Sequence, residues 1–298
     1  MSFIVAENVS KFFITKKKNK VPAIANVSLS VERNEFVCIV GPSGGGKSTL
    51  LNIVAGFEKP TRGRVLVNGV TVGGPDPSRA MVFQEFALFP WLSVRGNIAL
   101  GLDMKGVAKT ARLKQVDYYL ELVGLGRFAD SYPSELSGGM RQRVAIARAL
   151  AVQPEMLLMD EPFGALDAYT REIMQEELLR IWQKERKTVL FVTHSVEEAV
   201  TLSDTVIVLA GRPGTVRRLF TVDLARPRRN TDAAFVDLKG RIQSDVRAAA
   251  NAGPDDANVS QASASAEATC VVLPAGPGSV SPGEGLPGRV GQRSSLAA

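Results

Sequence analysis

The chain is poor in the residues and patterns that mark several common protein classes. It holds only two cysteines in 298 residues, Cys38 and Cys270, so we expect no disulfide framework. No stretch approaches the ~18 to 20 consecutive apolar residues of a membrane-spanning helix. The N-terminus also lacks the charged start and apolar core of a signal peptide. We therefore expect a protein that stays in the cytosol unless a partner holds it elsewhere.

Most of the chain has the composition of an ordinary globular protein, and its C-terminal segment is biased towards a few small residues. Apolar residues make up 45% of the chain, which is ample for a sizeable core. The formal net charge of +6 suits a nucleotide, a nucleic acid or an anionic membrane surface equally, so it decides little. From about Asn251 the chain consists largely of Ala, Gly, Pro and Ser and has no aromatic residue. Such a segment cannot bury enough apolar surface to offset chain entropy, and we predict that it is disordered.

A glycine-rich stretch dominates the ordered part of the sequence. It fits the pattern G-x-x-x-x-G-K-[ST], and a β-branched apolar run, residues 36–40, precedes it. Apolar residues at near-helical spacing follow it as far as Gly56. A Gly/Ser-rich turn that matches by accident is the alternative, and the strand before and the helix after argue against it. The stretch consists of Gly41, Pro42, Ser43, Gly44, Gly45, Gly46, Lys47, Ser48 and Thr49.

The residue types in this stretch predict a phosphate cradle. Glycines let the backbone curl so that successive N–H groups point at phosphate oxygens, and the following helix adds its positive N-terminal end. Lys47 supplies a point charge for the β- and γ-phosphates of a nucleotide. The Ser48 hydroxyl is suited to Mg²⁺.

The remaining elements indicate an α/β fold with a helical insertion. Apolar spacing from Ser93 to Val152 is mostly helical, and short apolar runs elsewhere alternate with helix-like segments, which predicts a parallel sheet wrapped by helices. Small antiparallel pieces flank the nucleotide site. The predicted strands outside the phosphate motif are Phe3 to Val5, Val27 to Val31, Arg64 to Gly69, Met156 to Met159, Thr188 to Thr193 and Thr205 to Leu209.

Polar residues follow two of the buried strands at the point where each strand ends. Ligands bind outside the carboxyl ends of parallel strands, so Asp160, Glu161 and His194 are predicted to meet the phosphate loop at one edge. Asp160 is suited to hold Mg²⁺, and Glu161 to orient or deprotonate an attacking water. A surface acidic pair is the alternative for the two carboxylates. His194 is the only histidine of the chain, and a γ-phosphate contact suits this edge better than a packing role.

A second anion site is indicated by Ser137-Gly138-Gly139, which stands before a strong helix. One triphosphate does not need two such sites in one chain. We therefore infer that the second site serves the nucleotide of another copy across a two-fold interface. A simple helix cap is the alternative for this pattern.

These motifs resemble the ATP-binding subunit of an ABC transporter over roughly residues 3–240, and that family is a P-loop NTPase. The resemblance implies a central mostly parallel sheet, a small antiparallel β-subdomain and a helical subdomain, with a disordered C-terminal tail. We place the ATPase domain at residues 1–240, with the helical subdomain inserted at about 86–153, and the end of the last helix and the tail at 241–298. By position, Gly41 to Thr49 match the Walker A loop, Gln84 the Q-loop, Ser137-Gly138-Gly139 the signature, Asp160 and Glu161 the Walker B pair, Ala165-Leu166-Asp167 the D-loop and His194 the switch histidine.

The resemblance also implies roles for these residues. ATP and Mg²⁺ would be the ligands, with Ser48, Gln84 and Asp160 at the metal and Asp167 beside the nucleotide. Glu161, His194, Gln84 and Lys47 would carry hydrolysis. The family commonly stacks adenine on a tyrosine, and Phe13 stands there in this chain, with packing in the small sheet as the alternative. Met140 replaces the glutamine that commonly ends the signature, which puts in doubt any nucleotide contact made by that amide.

Several segments resemble the nitrate, sulfonate and taurine importer branch of the family. They are Met140 together with residues 88–91, 211–214 and 226–228. The resemblance implies a homodimer, a membrane permease received by the Phe86 to Trp91 region and, indirectly, an extracytoplasmic solute-binding protein. It places the subunit on the cytoplasmic face of the inner membrane and gives it no nucleic-acid partner. The rival interpretations are a soluble ABC-type ATPase that acts on nucleic acid or ribosomes, and a non-catalytic scaffold.

Overall fold

The computed structural model describes residues 2–251 of the chain. The strands are β1 (Ile4–Ile14), β2 (Lys20–Val31), β3 (Phe36–Val40), β4 (Arg62–Val67), β5 (Val70–Thr71), β6 (Arg79–Val82), β7 (Met156–Asp160), β8 (Thr188–Val192), β9 (Thr205–Ala210) and β10 (Thr215–Thr221). The helices are α1 (Lys47–Ala55), α2 (Val94–Met104), α3 (Lys109–Leu122), α4 (Gly138–Ala151), α5 (Ala168–Glu185), α6 (Val196–Leu202) and α7 (Ala233–Asn251). The segment predicted to be disordered lies, from residue 252 onward, outside the described residues.

The central sheet has six strands in the order β10-β9-β3-β8-β7-β6. The five strands from β9 to β6 are parallel, and β10 pairs antiparallel with β9 at one edge. The predicted mostly parallel sheet is therefore confirmed. The edge strand β10 was missed, because two adjacent arginines, Arg217 and Arg218, interrupt the apolar residues of 215–221 and leave no continuous apolar run.

Both faces of the central sheet are covered, which explains its continuous apolar strands. In β3, Phe36, Cys38 and Val40 point into a core shared with helices α2 to α7. The intervening Val37 and Ile39 point to the other side, into a core formed with α1 and the antiparallel strands. Burial strongly raises the pKa of the Cys38 thiol, because the surrounding apolar side chains disfavour the thiolate.

A second sheet of four strands, in the order β2-β1-β4-β5, is antiparallel throughout. This is the predicted small β-subdomain. Its first two strands are much longer than the predicted 3–5 and 27–31. The residues 6–14 are polar at many positions, yet β1 lies between β2 and β4, and backbone pairing with those neighbours extends it.

The helical insertion consists of α2, α3 and α4, with two short 3₁₀ turns, Gly126–Phe128 and Pro133–Glu135, between α3 and α4. Ser93 starts α2 as the sequence indicates, since its hydroxyl accepts a hydrogen bond from Gly96 N at 3.2 Å. The three helices bury Ile98, Val116 and Ile146 in the core on the α2 to α7 side. Within residues 2–251 no helix is long and apolar enough to cross a bilayer.

Parallel pairing brings four strand ends to one edge of the central sheet. The phosphate loop follows β3, and the chain continues to Glu161 after β7 and to His194 after β8. Neighbouring loops are tied at this edge, because Glu161 N donates to Val192 O at 2.9 Å and Thr193 N donates to Ile39 O at 3.1 Å. Gln84 follows β6 at the same edge. The phosphate loop, Glu161 and His194 therefore lie at one edge of the sheet, where parallel strands place their carboxyl ends.

Phe36 tests how much the core on the α2 to α7 side stabilises the fold. Its ring is fully buried, 5.6 Å from the ring centroid of Trp182 and 5.9 Å from that of Phe191. We expect Phe36→Ala to lower the free energy of unfolding by about 3 to 5 kcal/mol, because it leaves a cavity between two aromatic rings. Denaturant unfolding measures the change. The matched control is Phe57→Ala, whose side chain is half exposed and should lose much less; equal losses would contradict this account of the core.

Candidate functional site

The phosphate loop connects β3 to the N-terminus of α1. Gly46 has φ 78°, and a Cβ there would lie 2.3 Å from Ile24 Cγ2. At Gly41 a Cβ would lie 2.4 Å from the carbonyl oxygen of Leu209. Neither position admits a larger residue without moving the backbone, so the curl of the loop depends on these two glycines.

Lys47, the first residue of α1, reaches back into the loop. Its Nζ donates hydrogen bonds to the carbonyl oxygens of Gly41 and Pro42, each at 3.0 Å. Burial lowers the pKa of Lys47, while the carboxylates of Glu161 and Asp160 act in the opposite direction. The ammonium is therefore held beside two acidic groups and at the positive end of a helix, a place that suits an anionic ligand.

A support for the phosphate loop comes from the turn between β9 and β10, residues 211–214. Arg212 donates to the carbonyl oxygen of Ser43 at 2.6 Å, and Gly214 packs so closely that a Cβ would lie 2.1 Å from Gly45 O. Gly214 N also donates to Ala23 O at 2.9 Å. Sequence reasoning missed this contact. In the sequence the 211–214 turn shows only a family resemblance, and nothing in its spacing indicates which loop it touches.

Asp160 and Glu161 come directly after the buried part of β7. The Asp160 Oδ1 atom accepts a hydrogen bond from the Ser48 hydroxyl at 2.9 Å. Burial raises the pKa of Asp160, and the nearby Glu161 charge adds to this, while the Ser48 hydrogen bond opposes it. A hydroxyl and a carboxylate thus meet at the start of α1, and these are hard oxygen groups of the kind that Mg²⁺ binds.

Glu161 and His194 are brought together from neighbouring strand ends. Glu161 Oε2 lies 3.1 Å from His194 Nδ1, and the side chain of His194 is exposed at the sheet edge. Glu161 adopts φ 45°, a left-handed conformation that is rare for a residue with a side chain. The Glu161 to Gly164 turn closes with a hydrogen bond from Gly164 N to Glu161 O at 3.0 Å.

Gln84 lies beside the same turn. A Cβ built on Gly164 would come within 3.4 Å of the Gln84 amide nitrogen, so the amide covers the turn that follows Glu161. Gln84, Glu161, His194 and Lys47 therefore surround one region of the strand edge. The strand ends alone predict Lys47, Glu161 and His194 at this edge, whereas Gln84 is assigned only by family resemblance.

Ser137, Gly138 and Gly139 lie elsewhere in the chain, at the N-terminus of α4. Ser137 caps the helix, since its hydroxyl accepts from Met140 N at 3.3 Å. The two glycines face α5 and the turn before it: a Cβ on Gly138 would lie 3.2 Å from Leu166, and one on Gly139 would lie 2.9 Å from Thr170. No hydrogen bond within residues 2–251 joins this segment to the phosphate loop. One copy of the chain thus presents the two predicted anion sites separately.

Asp167 and Phe13 occupy structural positions within one chain. Asp167 caps α5, because its Oδ1 accepts from Thr170 N at 3.0 Å, and the hydrogen bonds from Thr170 lower the pKa of this carboxylate. Phe13 lies on β1, paired with Val21 of β2, and its side chain is 39% exposed. The Lys11 ammonium lies 5.0 Å from the Phe13 ring centroid.

The segment from Phe86 to Trp91 lies between β6 and α2 and is anchored by α4. Arg148 donates to Ala87 O at 2.6 Å and to Phe86 O at 3.2 Å, and burial lowers its pKa. Asn97, which is fully buried, accepts from Phe89 N at 2.9 Å. Trp91 is nevertheless 71% exposed. The backbone of the segment is fixed while its aromatic side chain stands in solvent.

Comparison with known proteins places this site in a family. The family model described as ABC transporter matches residues 24–164. An ABC transporter ATP-binding protein of Methanocaldococcus jannaschii, MJ0412, is 52% identical over 236 residues, which are 79% of this chain and 88% of that protein. The nitrate import ATP-binding protein NrtD of Synechocystis sp. is 52% identical over 70% of this chain and 78% of its own. The taurine import ATP-binding protein TauB of Roseobacter denitrificans is 48% identical over 76% of this chain and 84% of its own.

Solved structures agree with these relatives. The dimeric post-hydrolysis structure of the ATP-binding cassette MJ0796, bound to ADP and Pi, is 35% identical and superposes with a TM-score of 0.65. It covers 74% of this chain, and all of the cassette is matched. A further dimeric structure of MJ0796, described as a bacterial ABC transporter cassette, gives a TM-score of 0.66 at 36% identity. The chain therefore belongs to the family of ABC transporter ATP-binding proteins, and it is an ATPase with the fold of an ABC cassette.

Proposed function

We propose that two copies of this chain hydrolyse MgATP between them and drive a membrane permease that imports nitrate, a sulfonate, taurine or a related small solute. The observation that carries the proposal is the separation of the two anion sites. The phosphate loop, Asp160, Glu161 and His194 share one sheet edge, whereas Ser137 to Gly139 lie at the start of α4 and make no hydrogen bond to the phosphate loop within residues 2–251. Each site alone is half of a nucleotide enclosure.

A head-to-tail pair of copies would complete both enclosures at once. In that arrangement the phosphate loop of one copy holds ATP on one face, and Ser137 to Gly139 of the other copy close the opposite face. The dimeric structures of MJ0796, which share the fold, support the assembly. Asp167, at the start of α5, lies in the turn that Gly138 packs against and would approach the same interface.

The residues at the sheet edge suit water attack on the terminal phosphate. Glu161 would orient the water or accept its proton, and His194, 3.1 Å from Glu161, would contact the γ-phosphate. Lys47 would exchange its two carbonyl partners for β- and γ-phosphate oxygens. Gln84 covers the turn after Glu161 and would sense the same phosphate.

The donor set at Ser48 and Asp160 fits Mg²⁺, with Gln84 as a further oxygen ligand at the same edge. The metal would supply neutralisation of charge on the β- and γ-phosphates. Phe13 would stack on the adenine base, since part of its ring is exposed on β1.

The Phe86 to Trp91 segment is the proposed contact with the permease. It combines an exposed Trp91, whose ring centroid lies 5.5 Å from that of Phe89, with a backbone held by Arg148. Such a fixed aromatic surface suits a short helix of a membrane partner. The subunit would then sit on the cytoplasmic face of the inner membrane, and an extracytoplasmic binding protein would select the solute. The names of the nitrate and taurine relatives support import; those relatives lend no support to a nucleic-acid machine.

The class of imported solute can be tested by reconstituting this subunit with its permease in liposomes. We expect ATP hydrolysis to rise when nitrate, taurine or an alkanesulfonate, each with its binding protein, is supplied on the outer side. Phosphate release is the measurement. The importer assignment would be overturned if none of these solutes raised the ATPase rate of the complex, or if DNA or RNA raised the ATPase rate of the isolated protein instead.

Glu161→Gln should block hydrolysis without blocking nucleotide binding. The amide keeps the shape of the side chain but cannot accept a proton, so we expect kcat to fall by about 10²- to 10⁴-fold. Size-exclusion chromatography with MgATP should show a trapped dimer. The control is Glu176→Gln, an exposed position on α5. Normal turnover by Glu161→Gln would exclude Glu161 as the base.

Lys47→Ala should weaken nucleotide binding. Loss of a charge-assisted contact of about 1.5 to 3 kcal/mol corresponds to a rise in the Kd for MgATP of about 10- to 100-fold. Titration with a fluorescent ATP analogue measures the Kd, and the exposed Lys59→Ala serves as control. Unchanged affinity in Lys47→Ala would show that the loop does not cradle the phosphates.

Trp91→Ala should weaken the association with the permease, because it removes the largest exposed apolar side chain of the segment. The matched control is Met104→Ala, whose side chain is 82% exposed at the end of α2. Co-purification of tagged subunit with the permease in detergent gives the comparison. Equal recovery of permease by Trp91→Ala and the unaltered chain would exclude this segment as the contact.

A further inference from the structure

The loops that carry Glu161 and His194 are joined a second time, behind the catalytic edge. Arg171, in the first turn of α5, donates to the carbonyl oxygen of Leu166 at 3.0 Å. Its Nε atom lies 3.6 Å from Glu198 Oε1 in α6. This Nε is buried and makes no hydrogen bond within residues 2–251, so the Glu198 carboxylate is the charge that it faces. Arg171 thereby links the loop after β7 to the helix after β8.

Glu198 in turn holds the short segment that presents His194. Its Oε2 accepts from the Thr193 hydroxyl at 2.6 Å, and its backbone N donates to the Ser195 hydroxyl at 3.2 Å. Ser195 N donates to the Thr193 hydroxyl oxygen at 3.0 Å. The residues on either side of His194 are therefore bound to one carboxylate or to each other.

The Glu198 side chain is only 8% exposed, and burial is the main cause of a raised pKa, which the Thr193 hydrogen bond and the Arg171 charge oppose. A buried carboxylate is retained as a charge only where such partners hold it. Gln175 of α5 also acts to lower the pKa of the Glu198 carboxyl. Two residues of α5 thus converge on this one group of α6.

We propose that Arg171 and Glu198 are a positioning pair that keeps His194 against Glu161, so that the two catalytic loops keep one relative placement during turnover. The inference rests on the roles proposed above for Glu161 and His194. Neither Arg171 nor Glu198 touches the reacting atoms. They act through the 193–195 segment, which has His194 at its centre, and through the 161–167 loop, which begins with Glu161.

The proposal predicts a loss in kcat with little loss in nucleotide affinity. Glu198→Gln keeps the size of the side chain and an acceptor oxygen for Thr193, but it removes the charge that faces Arg171. Misplacement of a catalytic group by about 1 Å costs on the order of 10²-fold in rate. We expect kcat of Glu198→Gln to fall by about 10- to 100-fold, while the Kd for MgATP stays within about twofold. Phosphate release and titration with a fluorescent ATP analogue measure the two quantities.

Matched variants on α5 separate positioning from general helix stability. Arg171→Met should match Glu198→Gln, and Arg171→Lys should recover part of the lost rate because it restores the charge. The control is Glu177→Gln, which removes an ion pair of the same helix: Glu177 lies 2.8 Å from Arg180, away from α6, and its loss should leave kcat unchanged. Since Arg171 is partly exposed, Arg171→Met decides the question if Glu198→Gln does not fold.

The double variant Glu198→Gln with His194→Ala decides whether the Arg171 and Glu198 pair acts through His194. If it does, Glu198→Gln adds no further loss of kcat in the His194→Ala background; independent effects would multiply and would overturn the proposal. A normal kcat in His194→Ala alone refutes the role proposed for His194 and the positioning role with it. An impaired His194→Ala beside a fully active Glu198→Gln refutes the positioning pair and leaves the catalytic assignment intact.

Discussion

Parallel pairing of five strands is the constraint on which the rest of the molecule depends. Because β9, β3, β8, β7 and β6 run in one direction, their carboxyl ends meet at a single edge. The phosphate loop, the Asp160 and Glu161 pair, His194 and Gln84 each follow one of these ends. Both faces of the sheet are buried, so a strand that slipped by one residue would move each of its side chains from one packed core to the other. The precision of the site thus comes from the core behind it.

The sequence was sufficient to predict this edge, and the reason is physical. A short apolar run that ends in a polar residue marks the end of a buried strand, and Asp160 and His194 both follow such runs. The phosphate loop is equally local, since its glycines, lysine and serine stand within nine residues. The predicted strand boundaries were less accurate where backbone pairing between strands outweighs the polar composition of a segment. The residues 6–14 have a polar pattern, yet they extend β1 because strands lie on both sides of it.

Side-chain contacts between distant segments could not be predicted. Arg212 reaches Ser43 across 169 positions, and nothing in either segment identifies the other. Arg171 and Glu198 stand in two helices with ordinary composition, and only the packing of α5 beside α6 brings their charges together. The position of a residue at the end of a strand can be predicted from the apolar pattern that precedes it. For a residue within a helix, the sequence pattern predicts which face of the helix it lies on, but not which residue of another element contacts that face.

The helix α4 connects the two functions that the proposal assigns to separate surfaces. Ser137 caps its N-terminus, where the nucleotide of the second copy would bind, and Arg148 lies about three turns later along the same helix. Arg148 holds the carbonyl oxygens of Phe86 and Ala87, and Arg141 lies 5.3 Å from the Phe86 ring centroid. In the proposed dimer, closure on ATP would therefore displace the cap of α4 and the permease contact together. A rigid helix bound at both ends needs no further moving part to carry that displacement.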